Sequence, residues 1–215
     1  MGQDILQISV EGAIATLVMN RPEKRNAMCE ELLHALESFF SAPPNGVKVA
    51  ILTGTAGHYC SGLDLSEHVH REPEENFYHS RHWHSVMEKI QFGGLAVVSA
   101  MFGAVIGGGM ELAAATHVRI AEPSTIFQLP EGRRGIFVGG GATARVGRII
   151  GPDRMTEMML TGRKYSADEG LTLGLAHYSV GEDEAMSLAQ TLAGKISRNA
   201  QFAHMLMLQA IPRIN

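Results

Sequence analysis

The sequence predicts an α/β domain with a buried sheet, and three observations carry that prediction. Apolar runs of strand length alternate with segments of helical periodicity. The strand runs are near-continuous in hydrophobicity, as in sheets covered on both faces. No Ser/Pro/Gly-rich or charged linker divides the 215 residues, which predicts a single domain over 1–215.

The elements follow in order. Residues 13–20 (AIATLVMN) form a β-rich run that Arg21-Pro22 stops, because proline cannot continue a ladder. Asn26 is the expected N-cap of a helix with Met28, Leu32, Ala35, Leu36 and Phe39 on its apolar face. Residues 47–55 (VKVAILTGT) are a strand of the doubly covered kind, followed by the loop AGHYCSGLDLSE. Residues 74–91 are helical by pattern, with Phe77, Trp83, Val86, Met87 and Ile90 facing inward. A strand over 95–101, a glycine-rich turn, a short helix from about Gly108 and a strand over 117–121 come next. TIFQLPEGRRG supplies a short strand and a loop, and helices are expected near 141–149 and 152–160. Ser166 and Glu169 make a capping box for a further helix. LAHYSV is the last strand, and two helices close the chain. The strand–loop–helix modules 47–70 and 95–115 look like repeats of one unit. Periodicity leaves open a doubly wound sheet or a spiral of ββα units.

Composition narrows the function. A chain 45% hydrophobic and 19% charged is not disordered. Eighteen basic against 22 acidic residues give a charge of −4, which argues against nucleic acid or an anionic membrane as partner. A local basic cluster can still hold an anionic ligand. Two cysteines, Cys29 and Cys60, give no disulfide framework and point to a reducing compartment, by default cytoplasmic, with a matrix location after removal of a leader as the alternative. Asp4 and Glu11 fall where a secretory or transit leader would be basic. The 21 uncharged residues between Lys89 and Glu111 are long enough to span a bilayer, but six are glycine, and Ser99 and Gly103 divide them. They read as core.

Several motifs fail. No P-loop and no G-x-S-x-G elbow is present. Gly139, Gly141 and Ala144 match a dinucleotide spacing, but only a short IFV precedes them, which suits a closely packed helix start better. Cys60 beside His58 reads as a buried, inert thiol, since sequence shows no base or helix terminus to activate it. His68, His70, His79, His82 and His84 cluster without a zinc-ligand spacing, so no metal is expected. His79 and His82 can share a helix face, whereas His82 and His84 cannot.

Chemistry concentrates in two glycine-flanked turns. Ser61-Gly62-Leu63-Asp64 follows strand 47–55, and Gly107-Gly108-Gly109-Met110-Glu111 follows strand 95–101. Both would leave carboxyl ends of strands, where α/β sheets bind ligands. Glycine lets backbone N–H groups approach a ligand closely, and the second turn opens a helix whose N-terminus favours an anion. Two such N–H groups converging on one point would form an oxyanion hole; otherwise they are two tight turns.

Six segments then carry a resemblance: NRPEKRNAM, ILTGTAGHYCSGLDL, VIGGGMELAAATHVRIAE, FQLPEGRRGI, GGGATARVGRIIG and LTGRKYSADEGLTLGL. Together, from about Glu11 onward, they resemble the enoyl-CoA hydratase/isomerase (crotonase) family. The resemblance implies a spiral of ββα units over about 1–180 with a helical C-terminal part over about 181–215. It also implies a homotrimer or a dimer of trimers. It places the thioester carbonyl at the N–H groups of Leu63 and Gly108, and the two glutamates of hydrating members at Glu111 and Glu131. Relatives that only shift a double bond commonly lack the first glutamate, so hydration of a 2-enoyl-CoA is the favoured reading. Glu111 is expected to deprotonate water and Glu131 to protonate C2, although the roles could be shared or exchanged. Isomerisation, retro-aldol cleavage, dehalogenation or acyl-CoA binding without catalysis are the alternatives.

Coenzyme A is expected only as part of the substrate, with no permanent cofactor. Its contacts are expected at Arg21, Lys24, Arg25, Ala27, Ser61, Gly62, Asp64 and Gly107. Asp64 could cap the helix after its turn and has no assigned chemistry. Trp83, Met87 and Phe137, with Phe77 and Val86, are candidates for the acyl pocket. Two departures from the family pattern stand out. Gly135-Ile136-Phe137-Val138-Gly139 replaces a small, proline-containing turn, and the chain ends at Ile214-Asn215 where relatives continue through further helices.

Overall fold

The strand Val49–Gly54 (β3) is buried at all six positions because both of its faces are covered. Val49 and Ile51 pack on one side, while Ala50 and Leu52 join the larger core on the other. The structure, a computed structural model, describes residues 4–67 and 71–213. Around β3 lie β1 (Leu6–Glu11), β2 (Ile14–Met19), α1 (Glu30–Ser41), α2 (Pro73–Phe92), β4 (Ala96–Met101) and β5 (Ala104–Ile106). Then follow α3 (Gly108–Ala115), β6 (Val118–Ala121), β7 (Ile126–Gln128), α4 (Ala142–Ile150) and α5 (Pro152–Thr161). The chain continues through β8 (Tyr165–Ser166), α6 (Ala167–Leu173), β9 (Tyr178–Ser179), α7 (Ala185–Ser197) and α8 (Gln201–Ala210).

Two sheets result. The larger has the order β1-β2-β3-β4-β6-β9 and is parallel except for the β1–β2 hairpin; the smaller has the order β5-β7-β8. Each middle turn of the chain sends one strand into the larger sheet and the next into the smaller: β4 then β5, β6 then β7. The strand orders therefore settle what periodicity left open, in favour of the ββα spiral. Ala185, Ala189 and Ala193 of α7 recur at helical spacing and pack on the second face of β3, β4 and β6. Their small side chains let that helix lie close to the sheet.

The uncharged run between Lys89 and Glu111 is divided among the end of α2, β4, β5 and the start of α3. No helix among the described residues is long and apolar enough to cross a membrane.

Several expectations need correction. β1 and β5 are strands that the pattern did not mark: β1 is an edge strand with most positions exposed, and β5 is three residues inside a longer apolar run. The final strand is only Tyr178–Ser179. Phe77 is 60% exposed rather than inward, whereas Trp83, Val86, Met87 and Ile90 are buried. Asn26 is not an N-cap; α1 begins at Glu30, with Cys29 at its cap. Asn26 is instead fully buried at φ +56, a conformation asparagine tolerates better than most residues. Its Nδ2 donates to the carbonyls of Thr55 (3.0 Å) and His58 (2.7 Å), and its Oδ1 accepts from Arg21 N–H (2.9 Å).

Asn26 thereby joins the exit of β2 to the exit of β3. Asn26→Ala should destabilise the fold by about 2–4 kcal/mol, because it orphans buried backbone groups. Urea denaturation checks this, and a loss under about 0.5 kcal/mol would show that water replaces those bonds.

Candidate active site

The first turn is held from both sides. Cys60 N–H donates to Ala104 O (2.8 Å) and Cys60 O accepts from Ile106 N–H (3.1 Å), which ties the turn to β5. On its other side Met28 N–H donates to Gly62 O (2.7 Å) and Asp64 N–H donates to Met28 O (2.9 Å). These bonds use the groups flanking Leu63 and leave its own N–H with no acceptor among the described residues. In the second turn Gly107 N–H donates to Gln128 O of β7 (2.8 Å), and Gly107 O accepts from Met110 and Glu111. Gly108, the first residue of α3, likewise has an N–H without an acceptor among the described residues.

The two free amides are neighbours. A Cβ on Gly62 would lie 3.2 Å from Gly108 N, and one on Gly108 would lie 3.4 Å from Leu63 N. Gly62 also has φ +99 and would meet Ile106 O at 2.7 Å, so no other residue lets the turns come this close.

Beside the amides are two buried carboxyls. Glu111, in the first turn of α3, is 3% exposed, and its Oε1 accepts from the N–H groups of Gly140 (2.8 Å) and Ala142 (3.0 Å). Burial pushes its pKa up to about 7, with the charge of Glu131 adding to the rise and the two amides and Arg145 opposing it. Glu131 opens the short helical turn after β7 and is also raised by burial; its Oε2 has no partner among the described residues.

Leu63, Gly108, Glu111, Glu131, Trp83 and Phe137 share the walls of one cavity of about 460 Å³. A second cavity, about 390 Å³, shares Leu63, Gly108 and Glu131 with the first and adds Ser61, Gly62 and Gly107. Arg133, Arg134 and Lys164 stand on the second cavity's walls. A ligand reaching both amides has room on either side of them.

The remaining predicted residues divide. Met87 is fully buried in the core and lines neither cavity, as are Val86 and its helical neighbours on that face; only Trp83 and Phe137 of the predicted acyl wall are there. Arg21 is turned inward: it donates to Ala27 O (2.6 Å) and to Asp64 Oδ2 (2.9 Å). Burial would raise Asp64, but hydrogen bonds from Ser66 and Arg21 outweigh it and hold its pKa at about 2. Asp64 caps the short turn Leu65–Glu67 through Ser66, so Arg21, Ala27 and Asp64 brace the first turn from within. Lys24 and Arg25 are exposed. Ser61 Oγ donates to Lys24 O (3.0 Å), linking that segment to the turn.

Burial pushes the Cys60 thiol up to about 12, far from a nucleophile at neutral pH. His68 and His70 lie outside the described residues. His79 Nδ1 is 2.6 Å from Glu30 Oε1 and His82 Nε2 is 2.8 Å from Glu37 Oε2, so this helix face ties α2 to α1. Glu30, His34 and His82 offer ligand atoms within 4.8 Å of one another, but Glu30 is already engaged by Arg71 and His79.

Arg145 and Gln91 went unmarked by sequence reasoning. Arg145, buried in α4, donates through Nη1 to Gly140 O (2.9 Å) and through Nε to Gln91 Oε1 (2.7 Å). It thus braces the loop whose amides grip Glu111. A basic residue just behind a glycine run, on the buried side of an amphipathic helix, was the available signal.

Comparison with known proteins points to one family. Residues 9–212 match the profile of a family described as enoyl-CoA hydratase/isomerase. A Clostridium acetobutylicum protein named short-chain-enoyl-CoA hydratase is 32% identical over 206 residues, covering 94% of this chain and 79% of the relative. A mevalonyl-coenzyme A hydratase of Aspergillus fumigatus is also 32% identical, over 200 residues, covering 87% and 70%. A crystal structure from Rhodopseudomonas palustris, provisionally named an enoyl-CoA hydratase, matches with a TM-score of 0.94 and 42% identity, covering 98% of this chain and 83% of that one.

Glu111 also makes a stability prediction. Its carboxyl titrates near 4.5 when unfolded and at about 7 when folded, so the fold binds its proton more tightly. That stability is complete below the unfolded value and is lost as pH rises through about 7. Glu111→Gln keeps an oxygen for the two amides and removes the titration. The variant should gain on the native protein by a few kcal/mol between about pH 5 and 8. Parallel thermal melts across that range would contradict the burial argument.

Proposed function

This chain belongs to the enoyl-CoA hydratase/isomerase family, and from that premise we propose that it adds water across the 2,3 double bond of a 2-enoyl-CoA thioester. The observation that supports this most is the pair of acceptor-free amides, Leu63 and Gly108, sharing one cavity with two buried carboxyls. Attack of water oxygen at C3 drives electrons through C2 onto the thioester oxygen. The amides are placed to receive that enolate charge, and one such donor is worth about 2.7–4 kcal/mol to the barrier.

Glu111 takes the proton that water loses, with Oε1 fixed by two amides and Oε2 left for the water. Glu131 gives its proton to C2, and a proton returning from Glu111 through solvent resets the pair. Hydration therefore needs one proton shared between the two carboxyls. Coenzyme A occurs as the substrate's own carrier. Its anionic end meets Lys24 and Arg25, supported by Arg133, Arg134 and Lys164 on the second cavity, while the acyl group enters the cavity walled by Trp83 and Phe137. Arg21, bonded to Ala27 and Asp64, acts in this reading chiefly by bracing the turn beside those cations.

Assembly as a homotrimer or dimer of trimers is part of the same proposal. Phe202, Leu206, Met207 and Ile211 present an exposed apolar face around α8 that such assembly would cover. The free, buried cysteines fit cytoplasmic residence.

A panel of 2-enoyl-CoA esters, followed by loss of the conjugated thioester's ultraviolet absorbance, tests the reaction. Glu111→Gln and Glu131→Gln should each lower kcat by about 100-fold or more while KM changes little. Bound acyl-CoA with unchanged absorbance would mean a binding protein, and near-full turnover by Glu111→Gln would defeat the two-carboxyl scheme.

The pH dependence has a definite sign. Above about 7 the pair loses its last proton, so kcat/KM should fall by about a decade per pH unit there. A flat profile from about pH 6 to 9 would contradict the shared-proton scheme.

A further inference from the structure

Trp83 touches both halves of the site. A Cβ on Gly108 would lie 2.6 Å from its Cζ2, and a Cβ on Gly140 would lie 2.1 Å from its Cδ1 and 2.2 Å from its Nε1. That same point beside Gly140 is 2.8 Å from Glu111 Oε2. The indole therefore spans from the oxyanion turn to the loop that grips Glu111, with its N–H edge on the Glu111 side.

The side chain is 4% exposed, and Nε1–H has no acceptor among the described residues. A buried donor left without an acceptor costs stability, and a phenyl ring would fill this wall without that penalty. Glu111 Oε1 is occupied by two amides, so Oε2 is the carboxyl face turned to the cavity and to the indole edge. Glu131 Oε2, on the same cavity, is a buried oxygen without a partner among the described residues. One oxygen atom lying between the indole N–H and Glu111 Oε2 would serve both groups.

We infer that the Trp83 indole N–H is a third hydrogen-bond donor of the catalytic site, holding the water oxygen that Glu111 Oε2 deprotonates. The identity of that oxygen rests on the hydration reading; the pairing of Trp83 with Glu111 rests on geometry alone. A donor here fixes the water's lone pairs, so that one points at C3 while a proton points at Oε2. It also favours the ionised form of Glu111, against the burial that disfavours it.

The charged groups around this pair are Glu131 across the cavity, Arg145 behind the Gly140 loop, and His79 on α2. The His79 ring meets Trp83 edge-on at 5.6 Å between centroids and is itself bound to Glu30 of α1.

Trp83 is the sole tryptophan, so the ¹⁵N-labelled protein has a single indole ¹H–¹⁵N resonance. That resonance should shift with a midpoint near pH 7, and the shift should vanish in Glu111→Gln. Trp83→Phe should lower kcat about tenfold with KM within about twofold, while its melting temperature stays at or above that of the native protein. A resonance that stays flat from about pH 5.5 to 8.5 would overturn the inference. So would a titration persisting unchanged in Glu111→Gln, which would assign it to His79, or full turnover by Trp83→Phe. If the native protein hydrates no 2-enoyl-CoA, the hydration reading fails, while the indole titration still decides the pairing.

Discussion

Two peptide N–H groups, of Leu63 and Gly108, stand side by side on the wall of one cavity without an acceptor among the described residues, and the rest of the site is arranged around keeping them so. Backbone donors in a folded interior are almost always paired, so sustaining two unpaired neighbours requires the surrounding chain to be over-determined. The two sheets supply that constraint where they meet. Cys60 bonds to Ala104 and Ile106 of β5 while Gly62 and Asp64 bond to Met28, which fixes the turn from opposite sides. Arg21, anchored to Ala27 and Asp64, closes the same framework from below. These bonds use Gly62 O and Asp64 N–H, the groups on either side of Leu63, and leave the two amides without an acceptor among the described residues.

The carboxyls follow the same logic with opposite sign. Burying Glu111 and Glu131 weakens their acidity and opposes folding at neutral pH, yet that keeps a proton in the cavity. The amides of Gly140 and Ala142 limit the penalty for Glu111, and Arg145 braces their loop against Gln91 on α2. Helix α2 therefore meets the site both through Gln91 and Arg145 and directly, through Asn76, His79, Ser80 and Trp83 on the cavity wall.

Much of this was legible in the sequence, for identifiable reasons. The long buried strands announced themselves because β3 and β4 have apolar side chains on both faces. The two turns stood out because their glycines permit close approach: a Cβ on Gly62 would run into Ile106 O, and one on Gly108 into the Trp83 ring. β5 was hidden because three residues within an apolar run carry no period. Arg21 was read as a free cation because its partner Asp64 is 43 residues away, and Asn26 as a helix cap because its acceptors lie at Thr55 and His58. Met87 shares a helical stripe with Trp83, and only the packing of α2 shows that one faces core and the other cavity. Spacing along a chain reports a face; what that face meets is decided by tertiary structure.

The relatives named short-chain-enoyl-CoA hydratase and mevalonyl-coenzyme A hydratase are equally similar to this chain, so similarity does not select the acyl group. What the whole account needs is that a thioester oxygen sits between two particular amides. An isotope-edited infrared difference spectrum of a carbonyl-labelled acyl-CoA bound to the Glu111→Gln protein observes that contact itself. The account predicts a carbonyl band moved to lower frequency than in water, as two donors polarise the bond. A band at or above its solution frequency would contradict it.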